Sequence, residues 1–145
     1  MSGGAKTRIL AIAVSLAVGA VVIAAVVIIG PPAAQRERRL DAARISDLEI
    51  IQNAVTAYVE RHAALPSDLP ALAREPGYAL SIADPQTGAP YVYEVTGATS
   101  YRLCARFTTD TAREGRDERL DYPYSVEWAH GAARQCFERH AKKPD

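Results

Sequence analysis

Two cysteines in 145 residues are too few to close a structural zinc site on their own, and enough for one disulfide. The chain also lacks G-x-S-x-G, a Walker loop and H-E-x-x-H, and its carboxylates are scattered over polar faces. Nothing in it assembles the constellation of a hydrolase, a nucleotide-binding enzyme or a zinc protease. Acidic residues are missing from the first 30 positions. All 17 lie beyond, against 15 of the 17 basic ones, so the remainder is slightly acidic and exerts no long-range pull on nucleic acid. These absences set the expectation of a protein that is not an enzyme. It needs no cofactor and no metal, and has neither a small-molecule substrate nor a nucleic-acid partner.

Charge is also absent from Ile9 to Ile29, 21 consecutive residues that span about 31 Å as a helix, at about 1.5 Å per residue. That length crosses a bilayer. Lys6 and Arg8 followed by Val18-Gly19-Ala20 would also fit a cleaved leader, but the apolar run continues nine residues past Ala20, longer than a leader needs. The expectation is a retained single-pass anchor. Within it Ala11, Ser15 and Gly19 are four apart, a small-residue face that would let a second membrane helix approach closely.

Positive charge flanks the span on both sides, Lys6 and Arg8 before it and Arg36, Arg38, Arg39 and Arg44 after it. The charge count alone would leave the C-terminal domain in the cytoplasm. The cysteine pair argues for an oxidising compartment, and long C-terminal domains are translocated despite such flanks. The expected topology is therefore a membrane crossed once, with the domain outside the cytoplasm. Gly30-Pro31-Pro32 should interrupt the helix, after which Arg36, Glu37, Arg38, Arg39, Asp41 and Arg44 read as a solvated collar facing the headgroups.

From Asp41 to His62, apolar residues Ile45, Leu48, Ile51, Val55, Tyr58 and Val59 recur every three to four positions, one wide stripe able to cover a small sheet. Leu65-Pro66 should end this helix, and Ser67 and Asp68 can cap a short one carrying Leu69 and Leu72. Tyr78, Leu80 and Ile82 alternate as a strand would, Asp84-Pro85-Gln86-Thr87-Gly88 has turn chemistry, and Tyr91–Thr96 and Tyr101–Thr108 read as a hairpin. Tyr93 opposite Leu103, Glu94 opposite Arg102 and Val95 opposite Tyr101 would keep the apolar row on one face, which requires a loop of three or five residues.

The order of a membrane helix, an amphipathic helix, LPSDLPAL, DPQTGAPYVYEV and YRLCARF resembles the type II secretion pseudopilins and related type IV pilin-like proteins, over about residues 40 to 108. The resemblance implies an α+β fold in which a long helix packs on a small antiparallel β-sheet. It also implies a bacterial inner membrane with the domain in the periplasm, and a role in envelope assembly or protein interaction, with the lipid bilayer and a membrane or envelope protein as partners. Pilin-like precursors carry a Gly and then a glutamate at the fifth mature position ahead of the apolar run. Here Gly3-Gly4-Ala5-Lys6-Thr7-Arg8 leads into the span and the first glutamate is Glu37, so the resemblance bears on the fold rather than on polymerisation.

The expected layout is a tail over 1–8, a transmembrane helix over 9–29 and a pseudopilin-like domain over 30–145. That domain divides into a helix over about 33–64, a sheet over about 78–108, a charged loop over 110–121 and a docked tail over 122–140. Trp128 and Phe137 anchor the tail, and Trp128 is also a candidate contact for a partner. In the hairpin register Cys104 lies with Arg102 and Arg106 on the face away from the helix, where the tail is the segment left to cover it, so a Cys104–Cys136 disulfide is expected. The competing reading is a metal- or small-ligand-binding periplasmic domain that uses Cys104, His130, Cys136 and His140, although these lack the paired spacing of zinc sites.

Overall fold

The computed structural model describes residues 3–29, 31–113 and 126–141. Backbone contacts divide the chain into two compact units, residues 1–36 and 37–145. In the first, α1 (Gly3–Ile29) is helical throughout, and among the described residues it is the helix segment long and apolar enough to cross a membrane. Its apolar side chains are exposed all round, Leu16 at 69% and Val27 at 76%. A helix that is hydrophobic on every side has no water-facing side to offer.

The second unit is built on α2 (Pro32–His62), whose stripe is buried as the periodicity predicts: Ile45, Leu48, Ile51, Val55 and Val59 lie in the core with Tyr58 at its margin. The helix ends two residues earlier than expected. Ala63 turns into the left-handed region at φ 53° while its N–H still reaches the Val59 carbonyl at 2.8 Å. Asp68 then caps α3 (Leu69–Ala73) by accepting from the Ala71 N–H at 2.6 Å, and Leu69 and Leu72 point into the core.

The sheet has three antiparallel strands in the order β1 (Val92–Val95), β2 (Ser100–Phe107) and β3 (Ala133–His140). The hairpin register is the expected one, with Tyr93 opposite Leu103, Glu94 opposite Arg102 and Val95 opposite Tyr101. Thr96 donates to the Ser100 carbonyl, leaving Gly97-Ala98-Thr99 as the loop. Tyr91, Tyr101, Leu103, Ala105 and Phe107 are buried in the same core as the α2 stripe, whereas Val95, expected with them, is half exposed near the end of the edge strand.

Three expectations are corrected. Residues 78–82 are not a strand: the segment meets the hairpin only through an Ala83–Pro90 bridge and a Tyr91 N–H to the Ile82 carbonyl. Its alternation reports that Tyr78, Leu80 and Ile82 lean on the core, which an extended chain does without a ladder. The tail is not laid over the outer face but extends the sheet, with β3 pairing β2 along all eight residues. Its inner side carries one large apolar residue, Phe137, between Gln135 and Arg139, with Ala133 at the strand's start, so the strand has almost no hydrophobic signature; charged edge strands of this kind resist pairing with other chains. Finally, Asp41 and Arg44 are not part of a solvated collar but are buried, at 2% and 3% exposure. Of the expected charged loop, 111–113 form a helical turn that Asp110 caps, and 114–121 lie outside the described residues.

Candidate functional site

Asp41 and Arg44 open the buried stripe of α2: positions 41, 44, 45, 48, 51 and 55 follow one another at helical spacing, so the phase that buries Ile45 and Leu48 also buries them. Asp41 accepts from the Thr108 N–H (3.0 Å), the Thr109 N–H (2.7 Å), the Thr109 hydroxyl (2.7 Å) and Arg44 Nη1 (2.6 Å). Arg44 Nε donates to Asp84 Oδ2 at 2.5 Å, and its Nη2 reaches the Gln86 side-chain oxygen at 3.0 Å. Asp84 Oδ1 accepts from the backbone N–H groups of Gln86 (2.9 Å) and Thr87 (2.8 Å). One guanidinium thus fastens the start of the long helix to the Asp84–Gly88 turn and to the exit of β2. Gly88 sits at φ 71°, a conformation favouring glycine, and its N–H returns to the Asp84 carbonyl at 2.9 Å.

Burial pushes the Asp84 carboxyl up, but the Arg44 hydrogen bond and the Thr87 and Gln86 N–H groups outweigh it and hold the acid far below the usual carboxylate range. Burial likewise opposes the Arg44 charge, and the hydrogen bonds to Asp84 and Asp41 more than offset it. Two carboxylates against one guanidinium leave an excess negative charge that the surrounding N–H and O–H donors absorb. The Tyr91 hydroxyl, raised first by burial and then by its 2.8 Å hydrogen bond to Asp47, ties the hairpin entry to α2. Burial pushes the Tyr101 hydroxyl up to about 12 against the pull of Arg139.

Beside this network lies a cleft of about 490 Å³, lined by Asp84, Thr87, Pro90, Cys104, Arg106 and Arg134 among others. Cys104 and Cys136 are bonded to each other, S–S 2.14 Å, as direct cross-strand neighbours of β2 and β3 with Cα atoms 4.0 Å apart. Both sulfurs are therefore withdrawn from any thiolate site with His130 and His140. His140 Nδ1 is 3.0 Å from the Ser100 hydroxyl, and His130 stacks on Phe107 with ring centroids 3.9 Å apart. Among the described residues no three metal-ligating side chains come together.

Ala11, Ser15 and Gly19 take the four-residue helical spacing expected of them on α1. Trp128 is 2% exposed: its ring meets Phe137 edge-on at 4.8 Å and lies 4.1 Å from the Arg139 guanidinium, which also donates to Gln52 of α2 at 2.9 Å. It is an anchor of the β3 segment within the domain. Reading the sequence missed Asp84 as a buried acid and Arg106 with Arg134 as a pair; the turn chemistry of Asp84 concealed the first, and the weak pattern of β3 the second. Family models give no match to the chain, nor do curated proteins or solved structures.

Proposed function

We propose that this chain is a single-pass anchor that carries a pseudopilin-like interaction domain on the outer side of a bacterial inner membrane, as an accessory subunit of an envelope complex. The observation that carries the reading is the contrast in apolar surface. α1 exposes its own in every direction, while most described large apolar residues of residues 37–145 are gathered into one core between α2 and the sheet, Ile50 and Val95 being the exposed exceptions. A helix of the first kind is at home in lipid. The second unit has a core of its own, and its disulfide suits an oxidising compartment.

The domain has the α2-on-hairpin arrangement that the pseudopilin resemblance implies, which supports an interaction role over a catalytic one. The small-residue face of Ala11, Ser15 and Gly19 offers a partner helix close approach inside the bilayer. The test is a pair of C-terminal reporter fusions, one active only in the cytoplasm and one only outside it, followed by crosslinking from Ser15→Cys in native membranes. Activity of the outside reporter and a discrete crosslinked band are expected. Activity of the cytoplasmic reporter would overturn the topology, and a uniform smear from Ser15→Cys would overturn the assigned helix face.

A further inference from the structure

Two rows of arginine cross the outer face of the sheet, and they differ in what faces them. In one, Arg102 stands between Glu94 on β1 and Glu138 on β3, with its Nε 2.8 Å from Glu138 and its Nη1 3.4 Å from Glu94. That charge is balanced within the sheet. One row beyond the disulfide, Arg106 on β2 stands directly opposite Arg134 on β3. Like charges directly opposite each other destabilise an antiparallel pair. Among the described residues neither of these two guanidinium groups has a carboxylate within salt-bridge distance, and Arg134 makes one long contact, 3.9 Å, to the Cys104 sulfur. Both side chains line the cleft beside the Asp84–Gly88 turn, while the third arginine there, Arg44, is committed to Asp41 and Asp84.

We propose that this cleft binds a phosphate group, gripped between Arg106 and Arg134. A guanidinium presents parallel N–H donors in a rigid fork that fits tetrahedral oxyanions, and two forks bring two positive charges to meet the two negative charges of a phosphate monoester. A single carboxylate would leave one of those charges unanswered. The cleft volume, about 490 Å³, falls within the range of about 300–1,000 Å³ typical of small-molecule sites, leaving room for an organic group beyond the phosphate. A soluble phosphate monoester and the monoester headgroup of phosphatidic acid offer the same chemistry.

The test uses the full-length, ¹⁵N-labelled protein in nanodiscs of phosphatidylcholine, titrated with inorganic phosphate at constant ionic strength, with chloride as the control. Saturable shifts of the Arg106 and Arg134 resonances are expected, with R106Q/R134Q weakening binding at least tenfold and R102Q changing it less than twofold. A second set of discs containing phosphatidic acid separates the sources. If the lipid is the ligand, the same resonances are already shifted there, and added phosphate moves them no further. The Cys104–Cys136 bond and the spectrum away from the cleft report whether R106Q/R134Q is folded, and R106K/R134K, which keeps the charges without the forks, should bind more weakly than the wild type. Absence of a saturable shift in both kinds of disc would overturn the proposal. So would equal losses in R102Q and R106Q/R134Q, or R106K/R134K binding as tightly as the wild type, since either outcome marks a general charge effect.

Discussion

The two long helices carry their apolar residues in opposite ways. In α1 they cover the whole circumference and, among the described residues, none is buried by protein; in α2 they form a stripe, and the stripe accommodates an ion pair at its start. α1 is long and apolar enough to cross a membrane, whereas α2 has one face for a core and one for water. For α1, away from the small-residue face of Ala11, Ser15 and Gly19, almost any apolar residue serves at almost any position. For α2 the phase is decisive, because one turn of the stripe must meet Tyr101, Leu103 and Phe107 while another holds Asp41 and Arg44 at the right depth.

The sharpest way to test that contrast is Arg44→Ala, which leaves Asp41 and Asp84 buried without their cation. It should destabilise the domain by about 3–5 kcal/mol, read from denaturant unfolding of the full chain in detergent, whereas Leu16→Ala in α1 should leave that transition where it is. Next comes the disulfide, which closes a sequence separation of 32. Replacing both cysteines by alanine should cost about 3–4 kcal/mol in the chain-entropy model, and full retention of stability would mean that pairing of β3 alone holds the sheet edge. In α1, Leu16→Arg should disfavour insertion by about 3–4 kcal/mol near the bilayer centre and shift protein into the carbonate-soluble fraction; an unchanged membrane fraction would undermine the anchor.

The buried network also sets a pH dependence. Asp84 has its folded pKa depressed below the ordinary value of 3.8, so its contribution is fully present above that value and is lost as pH falls through it toward the folded value. Unfolding midpoints should be flat at neutral pH and decline below about pH 4, and Asp84→Asn should flatten that decline. The smallest effect concerns the end of α2, where Ala63 occupies φ 53°. Ala63→Gly should stabilise by about 0.5–1 kcal/mol, because glycine occupies that region without the steric cost of a Cβ.

Local signals were legible where one cause writes one pattern. The stripe of α2, the Asp68 cap, the Asp84–Gly88 turn and the hairpin register each follow from spacing or turn chemistry, and the disulfide followed once the register had placed Cys104. β3 was hidden because an edge strand with charged side chains gains its order from pairing with β2, a long-range cause that leaves little trace in ARQCFERH. Residues 78–82 misled in the reverse sense, since burial on one side produced alternation without a partner strand. Asp41 and Arg44 were visible in the phase of the stripe and were masked by their charged neighbours Arg36, Glu37, Arg38 and Arg39, which are exposed. The opposed arginines of the cleft could not be read at all before β3 was placed, because the pair exists only through its register.

If, as proposed, the domain of residues 37–145 lies in an oxidising compartment, tethered by α1, the Cys104–Cys136 bond should be formed in native membranes. Native membranes should therefore be denatured directly in the presence of an alkylating reagent, without reductant, and the labelled thiols of the full-length chain counted by mass. The account expects none before reduction and two after it. Two labelled thiols before reduction would contradict the bridge and, with it, the placement of the domain.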